Sequence, residues 1–133
     1  MKKIIIDTNF LMIPWQFGVD IFSEFDRICT FNYGLFIFEQ SINELKNTVK
    51  NTKKGRDKKA AQFALKLIKL KNISLIKSEN KDVDSLILES TDKDTVVATQ
   101  DILLKKNLLK KLVSVVILRQ KKYLQFVKNH NYK

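Results

Sequence analysis

The sequence predicts an α/β fold built on a parallel sheet, and three observations carry that prediction. Five short apolar runs, Lys3–Ile6, Leu35–Phe38, Ser74–Ile76, Thr95–Ala98 and Val113–Leu118, alternate with stretches of helical spacing, the pattern of a parallel α/β sheet. Ile4, Ile5 and Ile6 are consecutive, as in a strand buried on both faces. That run stops at Asp7-Thr8-Asn9, and in open α/β sheets chemistry collects beyond the carboxyl ends of the strands. With 133 residues, one domain spanning 1–133 is expected, large enough to bury a core.

After the first strand, Phe10 to Pro14 allows only a short helical turn, because proline restricts what precedes it. Trp15 to Val19 reads as an irregular apolar loop hinged at Gly18, with Trp15 and Phe17 as core or staple residues and a dimer or RNA contact as the second reading. A helix follows from Asp20, its N-cap, with Ile21, Phe22, Phe25 and Ile28 at helical spacing. After the second strand, Ser41-Ile-Asn-Glu44 matches a capping box, predicting a helix from there to about Val49. Lys50 to Arg56 is a polar loop. The next helix, about Asp57–Leu70, places Ala60, Ala61, Ala64, Leu65, Leu67 and Ile68 on its buried face. Shorter helices are expected over Asp82–Ser90 and Ile102–Leu112. Tyr123 to Val127 fits either an edge strand or a short helix, and Asn129–Lys133 a frayed end. His130, in that tail, reads as a solvated side chain.

The longest apolar runs are four residues, far below the ~20 that a membrane span needs. Polar residues arrive too early for a signal peptide. A single cysteine, Cys29, excludes an internal disulfide and a cysteine zinc site. These features predict a cytoplasmic protein without membrane contact. The net charge of +11 is uneven: residues 1–40 hold three basic and five acidic side chains, residues 41–133 hold 22 and nine. Lys46 to Lys71 carries ten positive charges against Asp57 alone, and Lys105 to Lys133 nine against none. Such a field suits a polyanion, of which nucleic acid is the commonest; an ordinary lysine-rich surface is the plainer alternative.

Four carboxylates occupy comparable places. Asp7 ends the first strand, Glu44 and Asp84 sit in the first turns of the helices after the second and third, and Asp101 follows the fourth. In a right-handed parallel α/β unit these positions share one edge of the sheet. Converging anions call for a cation, and an oxygen-only set suits Mg²⁺ or Mn²⁺ rather than zinc. Taken singly, each acid is also explained as a helix cap or a partner of the helix dipole.

Ile4-Ile-Ile-Asp-Thr-Asn9, Glu44-Leu45, Asp84-x-x-Ile87 and Val96-Val-Ala-Thr-Gln-Asp101 together resemble the PIN domain over about residues 3–118, with a basic C-terminal extension over 119–133. The longer run Asp7 to Phe22, and Arg119 after the last strand, resemble the archaeal branch related to PIN nucleases of ribosomal RNA processing. The resemblance implies a three-layer α/β/α sandwich with a central parallel sheet of order 3-2-1-4-5. It also implies a metal-dependent endoribonuclease leaving 5′-phosphate and 3′-hydroxyl ends. By motif, the catalytic and metal-binding acids map onto Asp7, Glu44, Asp84 and Asp101, with Asn9 and Thr99 as supporting polar groups. Gln100 stands where the family commonly has Asn, with a side chain expected to point away from the metal. Asp82 and Asp94 are further acids whose participation stays open; the Asp-x-x-Ile register favours Asp84.

The expected activity is hydrolysis of RNA phosphodiester bonds with Mg²⁺ or Mn²⁺. Lys53, Lys54, Arg56, Lys58 and Lys59 would hold the RNA backbone, contacts that position without specifying sequence. Ribosomal RNA processing is the favoured role. A VapC-type toxin of a toxin–antitoxin pair and a non-catalytic RNA-binding scaffold are the alternatives. Structured ribosomal RNA, a second copy of the chain, and an antitoxin are the partners these readings invoke.

Overall fold

The computed structural model describes residues 1–127; His130 and the expected frayed end lie outside them. Six strands form one sheet in the order β3-β2-β1-β4-β5-β6. They are β1 (Lys2–Ile6), β2 (Tyr33–Phe38), β3 (Ser74–Ile76), β4 (Thr95–Ala98), β5 (Ser114–Arg119) and β6 (Tyr123–Phe126). The first five pair in parallel, in the order the family resemblance implies, and β6 adds an antiparallel edge. Part of the expected C-terminal extension therefore belongs to the sheet, and Tyr123–Phe126 settles as the edge strand.

Alternation along β1 divides the core. Ile4 and Ile6 join Phe10, Phe25, Ile37, Leu45, Ala61 and Ala64 on one face, whereas Ile5 joins Val83, Ile87, Val97, Leu104 and Leu108 on the other. Successive strand side chains point to opposite faces, so three consecutive isoleucines serve two helical layers. One layer holds α1 (Ile13–Phe17), α2 (Ile21–Ile28), α3 (Glu39–Asn51) and α4 (Gly55–Leu70); the other holds α5 (Val83–Ser90) and α6 (Ile102–Lys110). This is the α/β/α sandwich. Among the described residues no helix is long and apolar enough to cross a membrane.

Several local expectations are corrected. The short helical turn expected before Pro14 forms as the 3₁₀ helix Thr8–Met12, but Pro14 does not end the helical path: it occupies the first turn of α1, where a missing N–H costs nothing. The expected Trp15–Val19 loop is thus mostly helix, and Gly18 ends it with φ +66°, a conformation that favours glycine. The Ser41–Glu44 capping box does not form either. Helix α3 starts at Glu39, directly from the end of β2, with no side-chain cap at Phe38. The expected Lys50–Arg56 loop contracts to Thr52–Lys54 between α3 and α4. Other signals hold: Asp20 and Asp101 are N-caps whose carboxylates accept backbone N–H bonds, and Asp82 caps α5 in the same way.

Strand β6 is gripped rather than merely appended. The Glu24 carboxylate accepts from Leu124 N at 2.9 Å, and Arg27 Nη2 donates to Leu124 O at 2.8 Å while pairing with Glu24. One ion pair on α2 thereby satisfies both backbone groups of an edge residue that would otherwise stay open.

Candidate active site

The first strand delivers Asp7 to the carboxyl edge of the sheet, between β4 and the 3₁₀ helix Thr8–Met12. Its backbone N–H donates to Ala98 O at 3.0 Å, which ties it to the end of β4. Only 7% of Asp7 is exposed, and both carboxylate oxygens have protein donors. Thr8 N donates to Oδ1 and Thr99 Oγ1 to Oδ2, each at 2.8 Å. Burial pushes the Asp7 carboxyl above its usual range; the bonds from Thr99 and Thr8 pull it back, and the charges of Asp101 and Glu44 push it up again.

Glu44 is half-buried on α3 and turned toward this edge. Thr8 Oγ1 donates to Glu44 Oε1 at 2.6 Å and lies 2.8 Å from the buried Ser41 Oγ. Because an ionised carboxylate only accepts, the single Thr8 proton goes to Glu44, and Ser41 must donate to Thr8. Ser41, Thr8 and Glu44 thus form a directed chain.

Asp84 sits in the first turn of α5. Its carboxyl is raised to about 6, first by burial, then by the charges of Asp7, Asp101 and Asp82. Asp82 behaves oppositely: it caps α5 through Ser85 N and Ser85 Oγ, bonds that hold its pKa low. Asp94 sits at the other end of β4, where its carbonyl accepts from Lys3 N. Asp101 caps α6 through Leu104 N at 2.8 Å, and its own N–H donates to Thr99 Oγ1 at 3.0 Å. Thr99, fully buried, therefore joins Asp7 to Asp101.

The structure gathers Asp7, Glu44, Asp84 and Asp101 into one electrostatic neighbourhood with Asp7 at its centre. It does not draw them into a ready ligand cage: among the described residues no three His, Cys, Asp or Glu side chains are grouped to hold a metal ion. The donors are all oxygen, and Asp7 and Asp84 are strained toward protonation, a set that fits a hard divalent cation.

Asn9 is exposed and makes no side-chain hydrogen bond among the described residues. Gln100 bonds Leu118 through both amide atoms, Oε1 at 2.6 Å and Nε2 at 3.3 Å, so its side chain ties β4 to β5. Thr8 and Ser41 carry functions that sequence reasoning did not assign, and Ser41 was read as a cap. A short polar residue that is fully buried is the signal, and burial is visible only in the fold.

The basic residues proposed for RNA are all exposed: Lys53 and Lys54 before α4, and Arg56, Lys58 and Lys59 in its first turns. Helix α4 packs on α1 and on the 3₁₀ helix that Asp7 caps, so the positive segment belongs to the same helical layer as Glu44.

A family model described as a PIN like domain matches residues 4–121. Ribonuclease VapC4 of Methanocaldococcus jannaschii is 31% identical over 128 residues, covering 94% of this chain and 96% of that protein. Ribonuclease VapC9 of Archaeoglobus fulgidus is 25% identical over 118 residues, covering 89% and 84%. The solved structure of the PIN domain endonuclease Utp24 superposes with a TM-score of 0.75 at 19% identity, over 93% of this chain and 90% of that one, a likeness of fold. A matching family model over nearly the whole chain, full-length relatives and the sheet order 3-2-1-4-5 agree: the chain belongs to the PIN-like domain family.

Proposed function

We propose that this chain is a metal-dependent endoribonuclease. The observation that carries the reading is the acidic neighbourhood at the carboxyl edge of the sheet, with Asp84 raised to about 6 by burial and by Asp7 and Asp101. Structural acids are normally placed where their charge is stabilised; here Asp7 and Asp84 are both raised by burial and by neighbouring carboxylates. Asp7, Glu44, Asp84 and Asp101 would hold one or two Mg²⁺ or Mn²⁺ ions. A divalent cation bound there supplies Lewis acidity toward a water molecule and a phosphate oxygen. The protein does the positioning. Thr99 fixes Asp7 relative to Asp101, the Ser41–Thr8 chain orients Glu44, and α5 presents Asp84 from the far side. Asn9, exposed beside Asp7, is free to reach a substrate phosphate. Lys53, Lys54, Arg56, Lys58 and Lys59 would hold the RNA backbone.

For biological role, ribosomal RNA processing rests on the N-terminal run Asp7 to Phe22. The toxin reading has a specific support of its own, since two relatives that align over most of this chain are named ribonuclease VapC. An acidic antitoxin would then be the protein partner. Induced expression separates the two: arrest of growth reversed by a co-expressed neighbouring small frame marks a toxin, and altered ribosomal RNA precursors mark a processing enzyme.

The activity itself is tested on a structured RNA with Mn²⁺ or Mg²⁺. Wild type should cleave, chelator should stop it, and Asp7→Asn should lower the rate about 100-fold or more. Equal cleavage by wild type and Asp7→Asn would sink the nuclease reading.

A further inference from the structure

Trp15 and Phe17 are not core residues: they are 47% and 41% exposed. Both line a cleft of about 460 Å³ between α1 and the start of α4, with Lys54 and Arg56 on its other wall. That volume suits a small planar ligand. The Trp15 ring is anchored against Phe63 of α4, with centroids 5.8 Å apart, which fixes its orientation and leaves the rest of its surface to the cleft. Lys121 Nζ stands 5.7 Å over the Phe17 ring. No carboxylate pairs with Lys54, Arg56 or Lys121 among the described residues. Asp57, in the first turn of α4, is the one acid in the lining and sits at a helix N-terminus that favours it.

We propose that this cleft seats an unpaired nucleotide of the RNA, its base stacked on Trp15 and Phe17 and its phosphates held by Lys54 and Arg56. The proposal deepens the ribonuclease reading and rests on it. Rigid aromatic faces flanked by cations are what single-stranded nucleic acid binds, whereas a duplex keeps its bases stacked inside. Placement agrees. The 3₁₀ helix capped by Asp7 runs into α1, so Trp15 lies at most roughly 15 Å of helical rise from the acid. At a stacked rise of about 3.4 Å per nucleotide, that is on the order of four nucleotides. The cleft would thereby select single-stranded flanks near the scissile bond.

Trp15 is the only tryptophan, so its fluorescence reports the site directly. The probe is a short adenine-rich RNA, alone or annealed to its complement, added in chelator so that nothing is cleaved. The single strand should quench Trp15 and the duplex should not. Trp15→Ala with Phe17→Ala should weaken single-strand binding about 10-fold or more, with duplex binding changed less than about two-fold. Phe17→Ala alone serves if the double variant folds poorly, and Trp15→Phe should restore most of the affinity. Aromatic-dependent binding beside an absence of any cleavage would uphold this site while sinking the ribonuclease reading. Equal quenching by duplex, or unchanged single-strand affinity in Phe17→Ala and the double variant, would overturn the proposal. So would a co-purifying protein lost from the double variant with RNA binding intact, which would give the cleft to a protein partner.

Discussion

Asp84 is the residue in which the crowding of charge is most legible. Its ordinary pKa of 3.8 is raised to about 6 in the folded chain. A folded-state pKa above the unfolded value means the native state prefers the protonated form. That contribution is fully present below the unfolded pKa and is lost as pH rises through about 6. Asp84 is only partly buried, so solvent screening leaves on the order of 1 kcal/mol. The metal-free protein should therefore lose stability between about pH 4 and pH 6. Asp84→Asn should lose less and should melt above wild type at pH 7 in chelator. Millimolar Mn²⁺ should stabilise wild type by about 2.7 kcal/mol at 100 times its dissociation constant, and the variant much less. Thermal melts across pH, with chelator and with Mn²⁺, check this. If Asp84→Asn melts lower in chelator and wild type ignores Mn²⁺, the acids serve the fold alone and the metal-site reading falls.

Among the elements, the β5–β6 turn carries visible strain. Gln120 and Lys121 have φ of +53° and +56°, and Lys122 N donates to Arg119 O at 3.0 Å. Tight hairpin turns with two positive φ angles favour Asn-Gly, and residues with a Cβ lose about 1 kcal/mol or more there. What the strained turn supplies is Lys121 over Phe17. Gln120→Asn with Lys121→Gly should raise stability by about 1 kcal/mol while weakening single-stranded RNA binding a few-fold. Denaturant melts and binding in chelator read the two effects. A variant no more stable than wild type would mean that the turn is relaxed by its context. Helices α4 and α6 end in the same left-handed conformation, at Asn72 and Leu112, where the following N–H reaches back to Ile68 O and Leu108 O. Those residues close their helices.

For the whole molecule the controlling quantity is charge. Residues 1–40 carry a balance of −2 and contribute Asp7, while residues 41–133 carry +13, which together give the +11 net charge. A field of this kind draws RNA toward an acidic centre that would repel it without a cation. Neutralising Lys53, Lys54 and Arg56 together should flatten the dependence of log K on log salt by about 0.7 per lost contact on single strands. Binding isotherms at several salt concentrations measure it. An unchanged slope would move the RNA path to the lysines of α6, such as Lys105 and Lys106.

By itself the sequence determined the alternating architecture, the five parallel strands and the sheet edge toward which the four acids are expected to lie. Each depends on signals local in the chain: the Ile4–Ile6 run, helical spacing on α4, and N-caps at Asp20 and Asp101. Only the tertiary structure decided what ambiguous local signals mean. Ser41 and Glu44 spell a capping box, yet α3 begins at Glu39 and both side chains turn instead to Thr8, 33 and 36 residues away. Asp82 and Asp84 are equivalent in composition; the α5 axis makes one a cap and aims the other at Asp7. Trp15 and Phe17 have the apolarity of core residues, and their exposure follows from where α1 meets α4. The physical reason is common to all three. A hydrogen bond, a charge or an aromatic face acquires its role from the partner it meets, and partners distant in the chain are chosen by packing, which no local pattern encodes.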